Sequence, residues 1–139
     1  MTKDDIIGKL ELEPHPEGGW HRRTYVSGTE IGGRGTASAI YFLLEGSLPS
    51  LWHRTGADEL WFWHAGSALE LEVATDGETP VVTVIGPDIT AGESPQAMVP
   101  GDKWQRSRSL GDWTLVSCAV TPEFKYSDFE MQTDRNWMP

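Results

Sequence analysis

Four histidines, His15, His21, His53 and His64, are the side chains in this sequence best suited to proton transfer or metal binding. His53 is the informative one, because Glu59 follows it in the stretch WHRTGADELWFWHAG. A loop separates His53 from a strand that opens at Glu59, so a hairpin can bring the two side chains to one side of a sheet. Alternation along that strand puts Trp61 and Trp63 on the face of Glu59, with Leu60, Phe62 and His64 opposite. A carboxylate on an aromatic inner face is costly to bury alone. A metal ion, a hydrogen-bond partner such as His53, or a substrate would each satisfy it. A carboxylate beside an imidazole fixes its tautomer and raises its basicity, which suits proton abstraction.

A second dense stretch is PHPEGGWHRRTY, from Pro14 to Tyr25. Gly18-Gly19 reads as the turn that feeds a strand over Trp20–Val26, since glycine tolerates positive φ. Arg22 and Arg23 must then point to opposite faces. Parity leaves open which of them turns inward; Arg23 is the one carried as a ligand-binding candidate. His15 and His21 read as surface histidines, because neither has a ligand pair at a helpful spacing. His64 is expected outside.

The elements that must position these groups are mostly strands. Thr2 to about Leu10 reads as one helix, with Thr2 as N-cap, Asp5 three residues on, and Ile6, Ile7 and Leu10 as its buried stripe. From residue 19 the apolar runs are short, β-branched or aromatic, and cut by glycine and proline. Strands are expected at Trp20–Val26, Ala37–Leu44, Leu51–His53, Glu59–His64, Leu69–Ala74, Val81–Ile85, Ala97–Val99, Lys103–Arg106 and Trp113–Thr121, with a last one around Phe124–Met131. LELEVA alternates, with Leu69, Leu71 and Val73 against Glu70 and Glu72, as in a half-buried antiparallel strand. Ala37–Leu44 and Glu59–His64 are apolar on both faces, so each should be covered twice, by a second sheet or by a partner subunit. Gly32-Gly33-Arg34-Gly35 and Asp76-Gly77-Glu78 read as exposed loops or hairpin turns. The pattern is all-β, a sandwich or barrel.

The chain has 139 residues, which implies one domain, residues 1–139. Its net charge of -10 argues against nucleic acid and anionic membrane surfaces as partners. No apolar run approaches a membrane span, and the N-terminal residues are too acidic for a signal peptide. Cys118 is the only cysteine, which excludes an internal disulfide and leads us to expect a cytoplasmic protein. It sits mid-strand in WTLVSCAV and reads as an inert buried thiol.

The spacing resembles the cupins, small antiparallel jelly-roll barrels. Their first motif reads glycine, five residues, His-x-His, three or four residues, Glu, six residues, glycine. Gly46, His53, Glu59 and Gly66 match it with one extra residue after Gly46, and Thr55 replaces the second histidine. Their second motif is met by Pro100-Gly101, with Gln105 where a histidine would stand. More closely, the chain is similar to the Cupin-5 subfamily, catalogued as a domain of unknown function. The features shared are His15-Pro16-Glu17-Gly18-Gly19, Ser38–Leu44, Trp52–Trp61, Val99–Gln105 and Pro122–Phe129.

The resemblance implies a cupin-type double-stranded β-helix of two antiparallel sheets, with an N-terminal helix over residues 1–12 and the barrel over residues 19–131. It also implies a pocket inside the barrel for a small polar or anionic molecule. His53 and Glu59 would be the catalytic pair. Glu17 would cap the mouth and touch ligand, and Arg23, Tyr41, Trp61, Trp104 and Gln105 would shape the pocket. His53, Glu59 and Gln105 could together hold one divalent metal ion, but an amide and a hydroxyl are weak ligands beside imidazole. The cofactor is otherwise unassigned. Three functions follow: a metal-assisted enzyme, a metal-free isomerase or epimerase using a His–Glu pair, or a non-catalytic metabolite-binding module. A homodimer is expected, isologous dimers being the commonest oligomers.

Overall fold

A computed structural model describes residues 1–46 and 48–139. Helix α1 spans Lys3–Leu10; strands follow at β1 Glu13–Pro14, β2 Trp20–Val26, β3 Glu30–Ile31, β4 Arg34–Gly35, β5 Ser38–Glu45 and β6 His53–Arg54. The rest are β7 Asp58–Gly66, β8 Leu69–Ala74, β9 Val81–Ile85, β10 Gln96–Val99, β11 Trp104–Ser109, β12 Trp113–Thr121 and β13 Glu130–Met131. Two antiparallel sheets form the jelly roll, one ordered β1-β2-β5-β12-β7-β10 and the other β13-β6-β11-β8-β9. β3 and β4 make a separate small hairpin. Among the described residues no helix is long and apolar enough to cross a membrane.

Alternation builds the interior. Leu69 and Leu71 of β8 point inward and are buried, while Glu70 and Glu72 point outward. Opposite them in register, β11 presents Arg108 and Arg106. Arg108 forks onto Glu70 at 3.0 and 3.2 Å, and Arg106 pairs with Glu72. The same alternation turns Gln105, Ser107 and Ser109 inward. Between the sheets, Phe42, Leu44, Trp61, Leu71, Val116 and Cys118 belong to one apolar cluster.

α1 starts with a capping box: Thr2 Oγ1 accepts from the Asp5 backbone N–H, and the Asp5 carboxylate accepts from the Thr2 N–H. Its Ile6, with Leu12, packs on Leu43 of β5, joined by Tyr41 and Trp20. β5 is thus covered on both faces within the chain, by the second sheet and by α1. The sequence offered only a second sheet or a partner subunit as covers. The segment after β12 also differs from expectation. Instead of a strand over Phe124–Met131, a 3-10 turn occupies Tyr126–Asp128 and only Glu130–Met131 pairs. Arg34 holds this strap in place, donating to Glu123 O at 2.7 Å and to Asp128 Oδ2 at 2.9 Å. Leu51 lies outside the strand expected for it, because its N–H donates to Glu17 O at 2.8 Å.

Candidate functional site

A cavity of about 410 Å³ lies inside the barrel. Its apolar wall includes Ile40, Phe42, Trp61 and Val120, and its polar wall His53, Glu17 and Glu59. The strap closes one side with Phe124, Tyr126 and Phe129.

Glu17 owes its position to the two glycines that follow it. The Gly18 N–H donates to His15 O at 3.0 Å and the His15 N–H to Gly19 O at 2.9 Å, folding the loop back on itself. Gly19 has φ 76°, and a Cβ there would lie 2.7 Å from Leu43 O. Only glycine meets both demands. The Leu51 N–H bond to Glu17 O then ties this loop to the segment carrying His53.

His53 sits in β6, directly across from Gln105 of β11. Its Nδ1 lies 2.9 Å from Leu51 O, an acceptor only, so Nδ1 carries the proton. That leaves Nε2 facing Glu17 Oε2 at 3.2 Å. Burial holds the imidazole pKa down at about 4, against a smaller opposing effect of the Leu51 carbonyl. Burial, followed by the charge of Glu59, raises the Glu17 carboxyl well above its ordinary value. The contact is therefore a neutral pair in which a protonated Glu17 donates to Nε2.

The expected partnership between His53 and Glu59 is corrected here: Glu17 takes that place. Glu59, from the other sheet, accepts from Gln105 Nε2 at 2.7 Å. Burial raises its pKa, while hydrogen bonds from Gln105 and Cys118 oppose the rise. Cys118 lines the cavity, and burial pushes its thiol pKa far up, so it is no nucleophile.

His15 and His21, read from sequence as surface groups, line the cavity, with ring centroids 4.4 Å apart. His15 is drawn in by the glycine turn; its Nδ1 accepts from the Glu17 N–H at 3.1 Å. Burial, then His21 and His53, lower its pKa to about 3. His21 shares a strand face with Arg23, which also lines the cavity. Arg23 donates to Phe124 O at 2.6 Å and lies 3.6 Å from Glu123. Arg22 turns the other way, to Leu10 O.

Tyr41 and Trp104 lie outside the cavity, contrary to expectation. Tyr41 follows Ile40 and precedes Phe42, so alternation aims it at the α1 side, where it packs beside Leu43. Trp104 precedes the inward Gln105 and so faces out. Its indole N–H donates to Asp76 Oδ1 at 2.7 Å, and Arg54 stacks over its ring at 4.5 Å. Trp61 does line the cavity and its indole N–H has no partner among the described residues, whereas the Trp63 indole donates to Ser67 O at 3.1 Å. His64 is exposed, with Nε2 against Ser117 Oγ.

The donor set fits a metal poorly. Thr55 Oγ1 is engaged locally, accepting from the Ala57 N–H at 3.1 Å. His53 Nε2 faces Glu17, and Glu59 is bonded to Gln105. Among the described residues, no group of three His, Cys, Asp or Glu side chains is arranged to hold an ion. The triad His53, Glu59 and Gln105 has one imidazole, and its amide is oriented with nitrogen, not oxygen, towards the carboxylate.

Sequence reasoning missed Glu17 as the partner of His53, and the inward His15, His21 and Phe129. The signal was present in part. The His21–Arg23 spacing puts both on one face, and a glycine pair after an acid marks a place where backbone is packed closely.

Comparison with known proteins agrees with this architecture. Residues 4–132 match the family described as Cupin_5, Cupin superfamily (DUF985). Protein SO0799 from Shewanella oneidensis is 40% identical with TM-score 0.90, over 95% of this chain and 85% of that one. A hypothetical protein from Leishmania major is 32% identical with TM-score 0.87, over 94% of this chain and 86% of that one. Oxalate decarboxylase from Bacillus subtilis shares the fold at 11% identity and TM-score 0.67, over 90% of this chain and 31% of that one. No curated protein matches. The chain belongs to the Cupin_5 (DUF985) family of the cupin superfamily.

Proposed function

We propose that the barrel binds a small polar molecule and isomerises it by proton transfer, without a metal. The observation that carries this reading is the 3.2 Å contact between Glu17 Oε2 and His53 Nε2 on the wall of the cavity. Two carboxyls whose surroundings differ separate into acid and base. Glu17, neutral against a neutral imidazole, is the proton donor. Burial raises the Glu59 carboxyl too, but hydrogen bonds from Gln105 and Cys118 oppose that rise and Glu17 has no such opposition, so of the two Glu59 is the acceptor. Glu59 takes a proton from one atom of the bound molecule and Glu17 delivers one to another. The product is an isomer, and the site resets when Glu59 returns its proton to Glu17, directly or through water. His53 positions the Glu17 proton, and the strap with Phe129 keeps bulk water from the reacting atoms.

The test is solvent exchange. Protein incubated in deuterium oxide with a pool of cell metabolites should place deuterium on the carbon of at least one of them, read by mass spectrometry. Glu17→Gln and Glu59→Gln should each abolish the exchange. Exchange absent with the wild-type protein, or unchanged in both variants, rejects the reading. Stoichiometric divalent metal in protein purified without an affinity tag, lost in His53→Ala, would replace it with a metal-assisted one.

The same proposal includes a homodimer in the reducing cytoplasm. What supports the dimer is the apolar outer strip of Leu60, Phe62 and Met98 on the neighbouring strands β7 and β10, with Met98 52% exposed. Sedimentation of the wild type as a monomer at micromolar concentration would reject it.

A further inference from the structure

The cavity also says what charge its ligand carries, provided that the cavity is the binding site proposed above. Two carboxyls, Glu17 and Glu59, line it and are close enough that the charge of one raises the pKa of the other. Among the described residues no lysine or arginine is paired with either of them. His53 and His15 are held neutral. Arg23 and Lys125 also line the cavity, but Arg23 is engaged by the Phe124 carbonyl and the Glu123 carboxylate, and Lys125 is an exposed residue of the strap. An anion entering this space would add like charge beside the Glu59 carboxylate, with Glu17 neutral next to it.

The remaining walls are faces and edges of aromatic rings, chiefly Phe42, Trp61, Phe124 and Phe129. The ring quadrupole attracts cations, more strongly when water is excluded. The net charge of -10 favours the approach of cations as well. A polar group is also left over beside the cavity. Among the described residues the indole N–H of Trp61, a cavity-lining residue that is 1% exposed, has no partner. A buried donor without an acceptor is rare in a finished structure.

We propose that the ligand of this barrel is an organic cation, a protonated amine or amidine whose nitrogen sits at Glu59 among the aromatic walls, with a hydrogen-bond acceptor for the Trp61 indole. Of the small polar or anionic molecule expected from the sequence, this reading takes the polar arm and gives it a positive charge. It is also compatible with the acid–base reading. Glu17 stays protonated against His53, and an ammonium group beside the reacting atom makes its proton easier to remove.

Three probes of one shape and different charge test this: benzylamine, benzyl alcohol and benzoate. Each is titrated into the wild-type protein at pH 7 and followed by NMR shifts of the indole N–H signals. Benzylamine should bind about tenfold more tightly than benzyl alcohol, with benzoate weakest, the scale of one desolvated charge contact. Glu59→Gln should remove the preference for the amine, and Glu17→Gln should keep it. Equal binding of amine and alcohol by the wild type, or tightest binding of benzoate, overturns the cationic assignment and leaves the proton-transfer reading standing. Absence of binding by all three also overturns it, and the deuterium-exchange experiment then decides the proposed function by itself.

Discussion

The imidazole of His53 faces the carboxyl of Glu17, Nε2 to Oε2 at 3.2 Å. The two residues come from separate segments joined by one backbone bond, Leu51 N–H to Glu17 O at 2.8 Å. Both groups are buried, and burial favours the uncharged form of each. A carboxylic acid donating to a neutral imidazole satisfies both without separating charge. That makes the pair tolerable inside a barrel and also leaves it holding a mobile proton.

The buried histidines and carboxyls give stability pH dependences of opposite sign. His53 and His15 have folded pKa values of about 4 and about 3, below the ordinary 6.5. Their contribution is present above pH 6.5 and is lost as pH falls towards those values. For His53 this is on the order of 3 kcal/mol. Glu17 and Glu59 have raised values, so their contribution is present below about pH 4.5 and is lost as pH rises through the folded values. Urea denaturation between pH 7 and pH 4 should show stability falling with acid, less steeply in His15→Gln/His53→Gln. Glu17→Gln should steepen the fall. An acid limb indifferent to the histidines would reject this assignment.

Gly19 is where the glycine turn can be tested. An alanine there must hold φ near 76° with its Cβ 2.7 Å from Leu43 O and 2.9 Å from Leu44 Cδ2. Gly19→Ala should cost on the order of 2–4 kcal/mol, from backbone strain and the displaced strand β5. Gly18→Ala is the control. Its Cβ meets nothing nearer than 3.8 Å, so only the positive φ of 107° opposes it. Thermal melts of the two variants should differ, with Gly19→Ala the lower.

Much of this fold was legible because alternation is a local property. β2, β8, β9 and β12 run where the sequence places them: β8, β9 and β12 carry a period-two or continuous apolar pattern, and β2 follows the Gly18-Gly19 turn. The inward turn of Gln105 is legible by the same rule. What was not legible is which side chains meet across the barrel. Glu59 lies nearer His53 in sequence, but Glu17 reaches it because of a backbone bond at Leu51 that no periodicity encodes. The strap was misread as a strand, because Phe124, Tyr126 and Phe129 look like strand residues. In fact they pack on one another, with ring centroids 4.9 to 5.7 Å apart, and close the cavity. Aromatic enrichment reports burial, not the element that provides it.

Phe129 stacks on His53, with centroids 5.6 Å apart and planes at 29°. It is the side chain by which the strap dries the site. Phe129→Ala should admit water to the imidazole and move its pKa up towards 6.5, because desolvation is the main cause of the depression. The measurement is an NMR titration of the His53 ring. Phe129→Leu, which keeps apolar bulk, should leave the value low. A His53 pKa unchanged in Phe129→Ala would mean that the strap does not control water access.

Trp61 separates folding from binding. Trp61→Phe removes an indole N–H that has no partner among the described residues, together with part of a ring in the apolar cluster between the sheets. Losing core volume costs stability, but losing an unsatisfied buried donor returns some of it. The net change should be small, within about 2 kcal/mol. If instead the N–H exists to meet a ligand, Trp61→Phe should weaken binding of a probe bearing an acceptor, such as phenylalaninamide, more than it weakens benzylamine, which has none. Calorimetric titration of both probes into both proteins gives the comparison. A large stability loss with no difference between the probes would make Trp61 a core residue only, and would remove the hydrogen-bond donor from the ligand site while leaving the carboxyls untouched.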